Sequence, residues 1–315
     1  MTAGPHTDLG RASVPASPAR SSAPVGLGLA GTLVLPKFVK ALLEEAWKRY
    51  RKGLKRCRHK FTAEAVHDFR IHIRRLLSCL ELLEALLPPR RTRKLYRLLK
   101  RRLDLFDELR DTQVQLQTLT KLRATESTAR LFRKHLRERE ERFGRRVRKQ
   151  LRKAGARRVG ALIEESRERL EERLGRLSAD RTAAALLAPL ERSFRETCRL
   201  RAQVQAADAA TIHHTRVAFK HFRYMVEALA PAIPALTADR LAALRHYQTL
   251  MGDVQDAVVL LAAFDEFQCK CKPAASGARA LRRQLLRRRQ RLIHLYLGAA
   301  NDLLTFWPPA PCDNN

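Results

Sequence analysis

The stretch Ile212-His-His-Thr-Arg-Val-Ala-Phe-Lys-His-Phe-Arg-Tyr-Met-Val-Glu227 carries the residues best suited to chemistry. Wound as an α-helix, it sets His213, Arg216, Lys220, Arg223 and Tyr224 at i, i+3, i+7, i+10 and i+11, one polar and largely basic stripe. Phe219, Phe222, Val226 and Leu229 fall on the opposite side, spaced for a packed core. Cations held side by side on a rigid surface repel one another unless an anion lies across them. The stripe is therefore a candidate polyanion site. Neutral His213 can donate one N–H to a phosphate oxygen, and a polyanion nearby raises its pKa and favours the doubly donating cation.

A second stripe lies 146 residues earlier. Val66-His-Asp-Phe-Arg-Ile-His-Ile-Arg-Arg75 places His67, Arg70 and Arg74 at the spacing of His213, Arg216 and Lys220, with Arg75 alongside. Phe69, Ile73, Leu76, Leu80 and Leu83 supply its core side. Leu77 and Ser78 stand where the later stripe has Arg223 and Tyr224. Each stripe is followed at nearly the same distance by a second segment, Leu105-Phe-Asp-Glu-Leu-Arg-Asp111 and Leu250-Met-Gly-Asp-Val-Gln-Asp256. Two matched anchors in matched order point to an internal duplication. Asp111 and Asp256 are expected to form ion pairs that hold an Arg or Lys in place. Lys100, Arg101 and Arg110, Arg245, and on later helices Arg137, Arg142, Arg287, Arg288 and Arg291 are further cations available to an anion.

The His-x-x-Arg-x-x-x-Arg/Lys helices, each followed by a Leu-x-x-x-x-Arg/Gln-Asp segment, resemble the conserved histidine α-helical domain (CHAD) family over about residues 32–307. The later copy is the closer match. The resemblance implies an all-helical fold of two similar bundles around a basic central groove or channel. It also implies binding of inorganic polyphosphate and association with polyphosphate granules. Together with the stripes, it nominates His67, Arg70, Arg74, Arg75, Lys100, Arg101, Arg142, His213, Arg216, Lys220, Arg223, Tyr224, Arg287 and Arg291 as polyphosphate-binding residues.

Composition agrees with an anionic partner. The 315 residues hold 63 Lys and Arg against 32 Asp and Glu, a formal net charge of +31. Arginine outnumbers lysine by roughly three to one, and its fork suits phosphate oxygens. Hydrophobic residues make up 45%, enough for a core, so this is not a disordered basic tail protein. The same charge allows nucleic acid as a secondary partner, but aromatics are only 6%, with no aromatic–basic interleaving for base stacking. Catalytic motifs are missing: no GxSxG, no Gly-rich phosphate loop ending in Gly-Lys-Ser/Thr, no HExxH. Adjacent His213 and His214 point about 100° apart on a helix and form no ligand pair. A non-catalytic binding protein without cofactor or metal is expected, the alternative being a phosphohydrolase or kinase acting on polyphosphate. The six scattered cysteines, Cys57, Cys79, Cys198, Cys269, Cys271 and Cys312, suit a reduced cytoplasmic setting. No run of about 18 apolar residues offers a membrane span.

The elements that must position these residues read as helices throughout. Residues 1–31, rich in Pro, Ser, Ala and Gly, form a flexible tail. A first helical half covers 32–154. One helix runs from Pro36 to His59, and a stripe helix capped by Thr62 ends at Pro88-Pro89. One long helix then covers 92–123 and a fourth 126–154. A charged helical segment, 155–178, bridges to a second half, 179–307, with helices at about 182–205, 208–229, 238–267 and 278–304. Residues 308–315 close the chain as a short tail.

Overall fold

The computed structural model describes residues 34–122, 124, 127–153 and 155–308. The N-terminal tail and all but the start of the C-terminal one lie outside these residues. The described chain is all-helical, its one non-helical pairing being an isolated bridge between Gln205 and Asp208. No described helix is long and apolar enough to cross a membrane.

Ten α-helices follow one another: α1 (Val34–His59), α2 (Ala63–Leu82), α3 (Pro89–Asp104), α4 (Asp107–Lys121), α5 (Ser127–Lys153), α6 (Arg157–Leu174), α7 (Ala179–Ala202), α8 (Ala209–Leu229), α9 (Ala238–Cys271) and α10 (Ala275–Ala299). Hydroxyl and carboxylate caps start the second, seventh, eighth and ninth. Thr62 Oγ1 accepts from the Ala65 N–H at 3.1 Å, and Ser178, Asp208 and Thr237 cap α7, α8 and α9 in the same way. Pro231 falls in a short 3₁₀ turn, Ala230–Ala232, which ends the second stripe helix as expected.

Two boundaries differ from the sequence reading. The stripe helix α2 stops at Leu82, short of the prolines, because Leu83, Leu86 and Leu87 turn into the core over the next five residues. The single helix expected over 92–123 is two. It begins at Pro89, where a proline suits the first turn, and breaks at Leu105-Phe106. Phe106 is fully buried against Phe69, and Asp107 and Glu108 then begin α4 with acidic charge at its N-terminus. No Gly or Pro marks that break.

The two halves share both of their cores. The larger joins Leu43, Tyr50, Phe69 and Phe106 of the first half to Phe219, Phe222, Tyr247 and Tyr296 of the second. The smaller joins Phe132 and Leu136 of α5 to Phe264 and Phe267 of α9 and Leu281 and Leu285 of α10. Helix α6, expected as a charged bridge between the halves, also buries Val159, Leu162, Ile163 and Leu170 against α1 and α3. It keeps its charge pairs outside, such as Arg169 with Glu172 at 3.0 Å. α1 and α2 meet closely at Gly53, where an added Cβ would lie 2.6 Å from His72 Cδ2. α2 also packs on α8, and α4 on α9. Those two contacts carry the stripes toward each other.

Candidate polyanion site

The polar faces of α2 and α8, with α3, α4 and α9, wall a cavity of about 700 Å³. From α2 it receives His67, Arg70 and Arg74; from α8, His213, Arg216, Lys220, Arg223 and Tyr224; and from α3, Lys100. Arg110 of α4 and Arg245 of α9 join them. Eight Lys and Arg face three carboxylates, Asp107, Asp111 and Asp256, so the cavity is positive even with every imidazole neutral.

The cations divide by partner. Arg70 is only 4% exposed, and its Nη1 donates to Asp107 Oδ1 at 2.8 Å and to the Leu103 carbonyl at 3.1 Å. Arg223 donates through Nε to Gln248 Oε1 at 2.6 Å, pairs with Glu227, and stacks over the Tyr224 ring at 4.5 Å. Lys100 pairs with Asp104 at 2.8 Å. Arg74, Arg216 and Lys220 have no hydrogen-bond or ion-pair partner among the described residues, and the Nε of Arg216 is buried without an acceptor.

Electrostatics register this crowding. Burial, then the positive Arg70, pushes Arg74 down to about 10. Burial, then Arg216 and Arg74, brings Lys220 well below an ordinary lysine. Burial also lowers Arg216, with Asp256 and Asp111 working the other way. His213 is lowered by burial although its Nδ1 meets Gln255 Oε1 at 2.7 Å, and His67 is lowered by burial and by Arg110. With Nδ1–H donating to the Gln255 oxygen, neutral His213 keeps a lone pair on Nε2. Only the imidazolium has a second N–H for an anion.

The carboxylates correct one expectation. Asp107, one turn before Asp111, is what fastens Arg70. Asp111 and Asp256 make no direct ion pair among the described residues. Burial raises both, and they moderate Arg216 from a distance. Five sequence candidates also lie off the cavity. Arg75 pairs with Glu227 at 3.4 Å, Arg101, Arg287 and Arg291 are exposed, and Arg142 lies over the Phe143 ring at 5.4 Å. The reason is common to the last three. α5 and α10 turn their apolar sides into the two cores and Arg142, Arg287 and Arg291 outward.

The residues missed from sequence, Asp107, Gln248 and Gln255, did leave a signal. The cavity positions of α9 are 245, 248, 249, 252, 255, 256 and 259, one helical stripe, and those of α4 are 107, 110, 111, 114 and 115. Both stripes mix amide, carboxylate and apolar side chains, so charge counting passes over them.

The family model described as the CHAD domain matches residues 41–265. Among solved structures the chain is similar to the CHAD domain from the plant Ricinus communis, with a TM-score of 0.64 and 20% identity, covering 85% of this chain and 91% of that one. It is also similar to PptA from Streptomyces chartreusis, with a TM-score of 0.59 and 15% identity, covering 85% of this chain and 98% of that one. At these identities the likeness is one of fold. No curated protein matches.

Proposed function

This chain belongs to the CHAD domain family, and from that premise we propose that it binds inorganic polyphosphate in the cavity between α2 and α8 without transforming it. The observation that carries the reading is the trio Arg74, Arg216 and Lys220. Three partly buried cations, drawn from both stripe helices, face one cavity with no counter-ion in contact among the described residues. A chain of phosphates supplies the missing charge at successive points. Its internal units carry about one negative charge each, so it resembles a nucleic-acid backbone without bases.

Binding is then a sum of charge-assisted hydrogen bonds, strengthened by release of ions condensed on the polymer. Arg70, held by Asp107 and Leu103, acts as a fixed post beside the unpaired cations. Because the cations sit on packed helices, little ordering entropy opposes the contacts. Binding without turnover is supported by the carboxylates. Asp107 is committed to Arg70, and Asp111 and Asp256 lie among cations that disfavour a divalent metal.

The experiment is a length-resolved polyphosphate titration at two salt concentrations, with RNA and heparin as competitors, followed by sizing of the recovered polymer. Affinity is expected to rise with chain length, to fall steeply with salt, and to leave chain length unchanged. Binding that ignores salt, or phosphate release with added divalent metal, would refute the proposal.

A further inference from the structure

Helix α3 carries more positive charge than the cavity uses. Its sixteen residues hold eight Lys and Arg and one Asp. Arg91 pairs with Glu165, Arg102 turns inward to the Tyr50 hydroxyl, and Lys100 faces the cavity. That leaves Arg90, Arg93, Lys94, Arg97 and Arg101, all exposed and none with a hydrogen-bond or ion-pair partner among the described residues. At 100° per residue these five lie within about 120° of Lys100, all on one side of the helix. The buried Leu95, Leu99 and Leu103 take the opposite side.

Lys100 stands at one edge of this arc, and Leu103, beyond it, also lines the cavity. The row therefore starts at the cavity wall and runs about 16 Å along the outside of α3. Every i, i+3 and i, i+4 neighbour within it is like-charged, an arrangement that weakens a helix unless an anion lies over it. A polyphosphate chain longer than the cavity has units that must lie elsewhere, and these are the nearest unpaired cations on the same helix as a cavity residue.

We propose that the outer face of α3 is an exterior track that holds the part of a long polyphosphate chain extending past the cavity, leaving at Lys100 and continuing over Arg97, Arg101 and Arg93. It rests on the polyphosphate reading of the cavity. Exposed contacts of this kind act through counter-ion release, so the track contributes to affinity only for long chains and only at low to moderate salt.

The test uses the full chain with Arg93→Gln, Arg97→Gln and Arg101→Gln combined, titrated with tripolyphosphate and with polyphosphate of several tens of units. Gln keeps helix propensity, and the three positions are exposed. A control with Arg137→Gln, Arg279→Gln and Arg283→Gln removes the same charge from exposed, unpaired positions on α5 and α10. The α3 variant is expected to bind tripolyphosphate like the parent. For the long chain it should lose roughly 30- to 100-fold in affinity at 0.1 M salt, and the log–log salt slope should fall by about 2. The control should keep most of its long-chain affinity. Unchanged long-chain binding, equal losses for both ligands, or an equal loss in the control would each overturn the track. Failure of the parent to bind either ligand is a different result, and it would sink the cavity reading itself.

Discussion

Replacing Lys220 by Met separates the cost of the empty cavity from its use. The ammonium sits in a partly buried position with Arg216, Arg74, Arg70 and Arg223 as its charged neighbours, and among the described residues no carboxylate contacts it. Exchanging such a charge for an apolar side chain of similar length is expected to stabilise the fold by about 1–3 kcal/mol. In a chain of this size that raises the melting temperature by roughly 2–5 °C. The same change removes a charge-assisted contact worth about 1.5–3 kcal/mol, which lowers polyphosphate affinity by roughly 10- to 100-fold.

The pH dependence has a definite sign. A lysine whose pKa is lowered on folding leaves the unfolded chain with more bound protons between the folded value and the ordinary one near 10.4. Stability of the parent thus rises with pH across that window, with the full penalty present below it, and Lys220→Met removes this part of the rise. Urea unfolding at pH 7 and pH 9.5, paired with fluorescence-anisotropy titration of labelled polyphosphate, reads both effects. A variant less stable than its parent would mean that the cavity does not repel its own charges. Unchanged affinity would mean that Lys220 does not meet the ligand.

Three other outcomes follow from the same geometry. Because burial lowers the pKa of His67 and His213, polyphosphate binding should take up protons and strengthen as pH falls from 8 to 6; calorimetry in buffers of different ionisation enthalpy measures the uptake, and His67→Ala with His213→Ala should reduce it. Asp107→Ala leaves the buried Arg70 with only the Leu103 carbonyl, so it should destabilise the fold by about 1–3 kcal/mol in thermal unfolding, opposite in sign to Lys220→Met. Arg216→Ala with Lys220→Ala should weaken binding more than Arg70→Ala with Arg74→Ala, since Arg70 is already paired; equal losses in titration would show that this pairing is irrelevant to the ligand.

Much of the site was legible before any coordinates. The i, i+3, i+7 spacing of His213, Arg216 and Lys220, and of His67, Arg70 and Arg74, survives intact because a helix fixes which side chains share a face. The apolar side of the same helices, Phe69 and Ile73 or Phe219 and Phe222, went where periodicity put it, into the core. Helix α3 was harder. Its break from α4 depends on Phe106 reaching Phe69, a contact across 37 positions that no local pattern announces. The arginines of α5 and α10 were harder still, since a helix basic over most of its circumference does not declare which side meets the ligand.

The amino-acid order by itself determined the all-helical class, the two basic stripes and the excess of positive charge, because backbone periodicity and net charge are local or additive properties. Which cations remain unpaired was decided only when the chain folded. Asp107 reaches Arg70, Glu227 reaches Arg223, and among the described residues no hydrogen-bond or ion-pair partner reaches Arg74, Arg216 or Lys220. Pairing at a few ångströms depends on how α2, α4, α8 and α9 pack, and that packing is a property of the whole core.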